Sequence, residues 1–356
     1  MGKKAIYKYF SFMILVVTML MATFTLFGIF GGSADPTPST ALAMLVYILP
    51  LLILGNIIML IFWSIRRRWH WTPLPIIAIL FSIPYLGTIY QVKIFKGWKN
   101  AGKTLTVATY NVARFGRETS GFKAEDILSE MKKHEVNILC MQEYLDTSGD
   151  KLNSDKYKEK FPFMATGYDD MVIYSTYPIK GSETISFGSN TNNSAMWADI
   201  SIRGKMIRVF NVHLETTGFN RTMHNVAKIQ AQGFEVEENS IIRALWGNYT
   251  MGMAVRAQQA TMVAEQIAAS PYPVIVCGDF NDVPYSYVYK TMLGDLEDGF
   301  KECGKGFMFT YRGAKSVRID YIFHDKSLDG IDYYKQNLSY SDHYPVFMKI
   351  SLKKEE

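Results

Sequence analysis

The sequence predicts an α/β fold, two packed β-sheets flanked by helices, preceded by a membrane-spanning helical region. Three observations carry this expectation. The first hundred residues contain three long uncharged stretches. Residues 101–356 contain seven short apolar runs of strand length, with only two good amphipathic helices between them. Long strands with few connecting helices fit facing sheets better than a doubly wound parallel sheet.

The uncharged stretches are Ser11–Phe30, Ala41–Trp63 and Thr72–Val92. About 20 apolar helical residues cross a hydrocarbon core of about 30 Å, so the first two qualify as spans. Pro73, Pro75 and Pro84 interrupt the third, which reads as a kinked span or a partly re-entrant segment. A signal peptide fits poorly, because the first run exceeds the roughly 7–15 residues of a signal core and no small-residue cleavage site follows it. Lys3, Lys4 and Lys8 precede the first span, the loop at 31–40 has no cation, and Arg66, Arg67 and Arg68 follow the second. The positive-inside rule then predicts an inside N-terminus and an extracytoplasmic C-terminal domain, anchored in the cell (inner) membrane. Lys93, Lys96, Lys99 and Lys103 point the other way and are outnumbered by those six. Trp69, Trp71, Tyr90 and Trp98 stand where interfacial aromatics are expected. The lipid bilayer is thus the first expected partner.

Charge is unevenly divided. Of 38 Lys and Arg and 33 Asp and Glu, residues 1–100 hold nine cations and one acid, Asp35. The remaining part is mildly acidic, which argues against a broad nucleic-acid-binding field. Cys140, Cys277 and Cys303 have the spacing of neither a zinc site nor a disulfide framework.

Residues 101–356 read as one domain. The expected strands are Leu105–Tyr110, Asn137–Met141, Met171–Tyr174, Ile207–Val212, Val274–Cys277, Arg318–Phe323 and Val346–Leu352, with helices at Ala124–His134 and Val255–Ala269. What ends these runs is informative. Asn111, Gln142-Glu143, His213, Gly278-Asp279-Phe280-Asn281-Asp282 and Ser341-Asp342-His343 lie at strand ends, and Asp320 lies within a strand. Singly, such residues cap helices and make turns. Together, carboxylates, amides and two histidines at strand ends make a hard-cation site with acid–base groups beside it.

These blocks resemble the endonuclease/exonuclease/phosphatase, or DNase I-like, superfamily. The resemblance runs from Leu105 to Leu352. It rests on Tyr110-Asn111-Val112, Met141-Gln142-Glu143, Asn211-Val212-His213-Leu214, Gly278-Asp279-Phe280-Asn281, Arg318-Ile319-Asp320-Tyr321-Ile322 and Ser341-Asp342-His343-Tyr344-Pro345. It implies a four-layered α/β sandwich with its site at one end of the two sheets, and a hydrolase of phosphodiesters or phosphomonoesters using Mg²⁺, with Mn²⁺ the alternative. By the same resemblance Glu143 is a metal ligand, with Asn111 beside it and Asp342 a further candidate. Asp279 orients or deprotonates the attacking water, Asn281 holds the phosphate, and His343 acts at the scissile phosphate with Asp320 fixing its tautomer. His213 helps stabilise the transition state. Ala113 stands where some nuclease members carry a second acid, which tilts the expectation to one metal ion.

Substrate is the least legible part. Arg114 and Arg117 follow Asn111, and Asn192 and Asn193 precede a strand-like run at Ala195–Ile200. Arg114 and Asn193 are the candidate substrate contacts. The long segment after His213 carries Arg221, His224, Lys228, Arg243 and Arg256 among apolar residues. It reads as a lid, or as an ordinary surface helix around Ser240–Trp246. Three functions remain: a membrane-anchored phosphoesterase acting on a lipid head group or other extracytoplasmic phosphoester, an extracytoplasmic nuclease of DNA or RNA, which is less favoured, and a non-catalytic scaffold.

Overall fold

The computed structural model describes residues 3–92, 104–116, 124–144, 158–168, 171–188, 191, 193–232, 235, 237–312, 316–338 and 341–352. Contacts divide the chain into two compact units, Met1–Thr88 with Val283–Lys290, and Ile89–Asp282 with Thr291–Glu356. The division at Thr88 precedes the boundary expected at residue 100. Lys93, Lys96, Trp98, Lys99, Lys103, Arg117, Asn192 and Phe234 lie outside the described residues.

The first unit contains helices α1 (Lys3–Gly31), α2 (Ala41–Ile65) and α3 (Pro73–Leu86), with a 3-10 turn at Trp69–Trp71. The first two are long and apolar enough to cross a membrane. The third is shorter than the stretch predicted: 14 residues reach about 21 Å, and the preceding turn adds about 6 Å. Pro73 opens α3, where its fixed φ and missing N–H cost nothing. Polarity here is the reverse of a soluble bundle. Phe12, Leu20, Phe27, Leu51, Leu54 and Leu80 are exposed, while Thr18, Thr25, Asn56 and Ser82 are buried. Asn56 Nδ2 donates to Thr25 Oγ1 at 2.8 Å, and Trp63 Nε1 donates to Thr18 Oγ1 at 3.0 Å. Hydrogen bonds between polar groups of neighbouring helices and apolar groups facing outward suit a lipid environment.

The second unit holds two six-stranded sheets. One contains β1 (Thr104–Asn111), β2 (Ile138–Gln142), β3 (Phe163–Thr166), β4 (Val172–Ser175), β11 (Leu328–Lys335) and β12 (Val346–Leu352) in the order β11-β12-β1-β2-β4-β3. The other contains β5 (Ile179–Ser186), β6 (Ser194–Ile202), β7 (Lys205–His213), β8 (Val274–Asp279), β9 (Glu297–Asp298) and β10 (Asp320–His324) in the order β9-β10-β8-β7-β6-β5. The core lies between them, with Val107, Ile138 and Cys140 of one sheet in a cluster with Val209, Ile275, Cys277 and Ile322 of the other. The alternate residues Ala108, Tyr110, Leu139 and Met141 pack with Ile127, Leu128 and Met131 of α4 (Ala124–Lys133). Burial on both faces explains why β1 and β2 are mostly apolar rather than alternating.

Most neighbours are antiparallel, but each sheet contains one parallel pair, β1–β2 and β7–β8. Parallel neighbours need a crossover connection. Helix α4 lies in the first, and α5 (Phe219–Ala231) and α6 (Glu238–Ala268) lie in the second. Each parallel pair therefore ends two strands side by side at the same edge of its sheet.

The expected segment Ser240–Trp246 is helical, and it is continuous with the helix expected at Val255–Ala269. Gly247 and Gly252 obscure this continuity in sequence. At Gly252 a Cβ would lie 2.6 Å from the Thr216 carbonyl oxygen, so the backbone of the loop after β7 packs directly on the helix.

Candidate active site

Sheet register builds the site. In the second sheet Asp279 is the Cα partner of both His213 on β7 and Asp320 on β10. His213, Asp279 and Asp320 therefore stand in one row across three adjacent strands. In the first sheet Asn111 is paired with Gln142, and Glu143 follows directly. The two rows meet: Asn111 Nδ2 donates to Asp279 Oδ2 at 3.1 Å and to Glu143 Oε1 at 3.2 Å. Its Oδ1 accepts from Ala113 N at 3.0 Å. Asn111 sits beside Glu143 as expected, and in this arrangement it steadies the two carboxylates with its N–H groups.

His343 comes from the turn before β12. Its backbone N–H donates to Ser341 Oγ, and that hydroxyl donates to the Asn111 carbonyl at 2.8 Å. Nδ1 lies 3.0 Å from Asp320 Oδ2, and Nε2 lies 3.6 Å from Asp279 Oδ2. Burial disfavours the charged ring, but Asp320 and then Asp279 outweigh it and push its pKa up to about 10. Burial raises the Asp279 carboxyl to about 6, against the opposing pull of His343 and His213. The site at neutral pH thus holds an imidazolium flanked by carboxylates, one of them poised near the working range of a general base.

The backbone at the rim is locally unusual. Ala113, Arg114, Glu143 and Asn281 have φ of 45°, 53°, 52° and 51°. Left-handed backbone at non-glycine residues costs energy and concentrates at functional sites. Gly278 has a φ of 143°, and a Cβ there would run into the Val212 backbone, so glycine is required where β8 delivers Asp279.

The remaining candidates differ in placement. Asn281 N donates to Asp279 Oδ1 at 2.8 Å, and its Nδ2 donates to the Leu214 carbonyl at 2.9 Å. Asn193 Nδ2 donates to that same carbonyl at 3.1 Å, which puts Asn193 beside the residue that follows His213. Asp342 is at the rim, its Oδ1 3.9 Å from His343 Nε2. Arg114 is exposed, its N–H donating to the Glu143 carbonyl at 2.9 Å. Arg256, grouped by sequence with a basic lid, is instead fully buried. Its Nη1 donates to the Glu215 carbonyl at 2.8 Å, and Nε lies 3.3 Å from Asp282 Oδ2. That correction follows from its place on α6, where a buried guanidinium must find fixed partners.

The sequence motifs include Gln142 and Asn211 but assign them no role, and these amides lie beneath the site. Gln142 Nε2 donates to Asn211 Oδ1 at 2.6 Å, and Asn211 Nδ2 donates to the Met141 and Val172 carbonyls at 2.9 and 3.0 Å. Thr310 Oγ1 accepts from the N–H groups of Ile319 and Asp320, both at 3.0 Å, fixing the start of β10. Asn211 did carry a signal: it lies two residues before His213, on the same strand face, inside an apolar run.

The donor set fits a divalent cation. One atom each from Asp279, Asp320 and His343 lie within 4.8 Å of one another. His343 is held there as an imidazolium, which has no lone pair to give, so the solvent-facing carboxylates are the better ligands. Glu143 and Asp342 have side chains 29% and 43% exposed, suited to a cation that keeps several waters. Among the described residues both ring nitrogens of buried His213 lack a hydrogen-bond partner, while Nε2 lies 3.8 Å from Glu143 Oε1 and 4.0 Å from Asp279 Oδ2. A buried donor left facing two carboxylates is suited to meeting a further polar group there.

A family model described as the endonuclease/exonuclease/phosphatase family matches residues 108–343, and a model described as a domain of unknown function matches residues 11–89. No curated protein matches the sequence at a significant level. Among solved structures, the endonuclease/exonuclease/phosphatase from Bacteroides vulgatus is 18% identical with a TM-score of 0.51, covering 70% of this chain and 100% of that one. The endonuclease/exonuclease/phosphatase from Beutenbergia cavernae is 16% identical with a TM-score of 0.50, over 70% and 72% of the two chains. ANGEL2, a 2′,3′-cyclic phosphatase in complex with adenosine-2′,3′-vanadate, is 14% identical with a TM-score of 0.50, over 70% and 96%. These likenesses are likenesses of fold.

Proposed function

The chain belongs to the endonuclease/exonuclease/phosphatase family, and from that premise we propose that it is a membrane-anchored, Mg²⁺-dependent phosphoesterase. The observation that carries the reading is the meeting of Asn111, Glu143, His213, Asp279, Asp320 and His343 at one edge of both sheets. Bound at Glu143, with Asp342 as a further ligand, Mg²⁺ would stabilise charge on the phosphoryl and leaving oxygens. Asp279 orients the attacking water and accepts its proton. His343, kept charged by Asp320, donates through Nε2 to a phosphoryl oxygen, and His213 donates from the opposite side. Asn281 holds the phosphate beside Asp279. Arg114 and Asn193 supply outer substrate contacts.

The substrate proposed is a lipid head group or another small phosphoester outside the cytoplasm. Two apolar helices in the same chain support an anchor, which raises the concentration of bilayer-borne substrate near the site. Outward placement requires the 3-10 turn and α3 to complete a third crossing together. A nuclease would instead need basic surface, and residues 101–356 are net acidic.

The test is to offer the full chain in detergent micelles, with Mg²⁺ or EDTA, plasmid DNA, phosphatidylinositol phosphates, sphingomyelin and an aryl phosphodiester. Mg²⁺-dependent turnover of a lipid or small ester supports the proposal. Preferential cleavage of DNA assigns the nuclease reading, and no turnover of any substrate assigns the scaffold.

A further inference from the structure

A second group of carboxylate and imidazole side chains gathers at the far end of the strand that carries Asp320. Glu297 on β9 and His324 on β10 are directly opposed in antiparallel register, so their side chains share a face. Glu302, on the short helix Gly299–Cys303, reaches the same place. One donor atom from each lies within 4.8 Å of the others. Ligand atoms around a tetrahedral ion with bonds of about 2.0–2.1 Å are roughly 3.4 Å apart, so a small rotation of a glutamate closes the set.

The histidine is prepared for this role. His324 is fully buried, and its Nδ1 faces the Asp325 carbonyl at 3.0 Å. A carbonyl only accepts, so Nδ1 carries the proton and Nε2 is turned to the glutamates, the arrangement common to metal-binding histidines. Burial opposes the charged ring, but Glu302 Oε2, 2.9 Å from Nε2, holds the imidazole's pKa above its ordinary value, so an ion bound here replaces the Nε2 proton between them. Glu302 is itself held in place, because Oε2 also accepts from Gly330 N at 2.9 Å and a Cβ on Gly330 would collide with it.

We propose that Glu297, Glu302 and His324 form a second divalent-metal site, of the zinc type and separate from the catalytic centre. His324 is four residues along β10 from Asp320, about 13 Å away. With that proton displaced, two carboxylates and a neutral imidazole carry two negative charges, which a divalent ion balances. The mixed nitrogen–oxygen set suits zinc better than Mg²⁺, which prefers oxygen alone. Such an ion would fasten the Gly299–Cys303 helix to the edge of the sheet.

The experiment is equilibrium dialysis of the metal-stripped full chain in detergent against Zn²⁺ with excess Mg²⁺, followed by elemental analysis and thermal melting. Wild type is expected to retain one more equivalent of zinc than His324→Gln and Glu302→Gln, and zinc is expected to raise its melting temperature but not theirs. Mg²⁺-dependent hydrolysis by His324→Gln is expected to persist. Equal zinc content in wild type and both variants overturns the proposal. If the buried substitutions do not fold, Glu297→Gln at the partly exposed rim decides: zinc retention equal to wild type overturns the site, and loss of the equivalent supports it.

Discussion

The side-chain amide of Asn111 donates to Asp279 at 3.1 Å, joining the ends of the two sheets at the centre of the site. Because the same amide also steadies Glu143, Asn111 spaces two carboxylates that would otherwise repel. Asn111→Asp keeps the shape and adds a like charge, which disfavours ionisation of Asp279. The acidic limb of the pH–rate profile is expected to move up from about 6 by roughly 1–3 units. A limb left in place would remove Asp279 from the role of base.

Asp320 holds His343 in its charged form. Wild-type activity should rise as Asp279 ionises near pH 6 and fall as His343 loses its proton near pH 10. Asp320→Asn removes the main partner that raises His343 and also a like charge that raises Asp279, so both limbs should shift to lower pH. Stability follows the same sign. A raised histidine contributes fully below its unfolded value near 6.5 and loses that contribution through about 10, so the variant's deficit should shrink above that range. Rate profiles and chemical melts across pH measure both.

Glu143→Gln preserves volume and the hydrogen bond with Asn111 while removing the carboxylate proposed to bind Mg²⁺. Turnover should fall about 10²–10³-fold, as for loss of a main electrostatic stabiliser, with an unchanged circular dichroism spectrum. A Mg²⁺ titration of activity checks it, and full Mg²⁺-dependent turnover by this variant would place the metal elsewhere.

Asn211 acts on the fold rather than on the reaction. Asn211→Leu removes three buried hydrogen bonds, to the Gln142 side-chain N–H and to the Met141 and Val172 carbonyls. At about 1 kcal/mol for each bond, the loss should reach about 3 kcal/mol, or roughly 6–12 °C in melting temperature. Differential scanning calorimetry in detergent would show it. A change in kcat without loss of stability would instead give Asn211 a direct part in the site.

How far the sequence discloses this protein depends on the kind of signal each residue leaves. Strands β1, β7, β8 and β12 were legible because buried apolar residues are concentrated in them, and the site residues were legible because polar groups end those runs. Strand β11 was not: Leu328–Lys335 is half exposed, with Gly330 and two aspartates, and it is a strand because it pairs along β12. The length of α6 was hidden by Gly247 and Gly252, the second of which packs against the Thr216 backbone, a contact distant in sequence. Arg256 shows the same limit in reverse, since nothing local tells a buried arginine from an exposed one. Register is what chain order could not supply: that His213, Asp279 and Asp320 stand abreast is a property of strand pairing.

The parallel neighbours β7 and β8 make the site modular. The helices between His213 and Val274 depart from one strand and return to the strand beside it, so the separation of His213 from Asp279 is set by the ladder and not by what the excursion contains. That insert can be exchanged for another of different length and chemistry while the reactive groups keep their places. A graft replacing α5 and the exposed half of α6 should therefore leave the spacing of His213 and Asp279 unchanged.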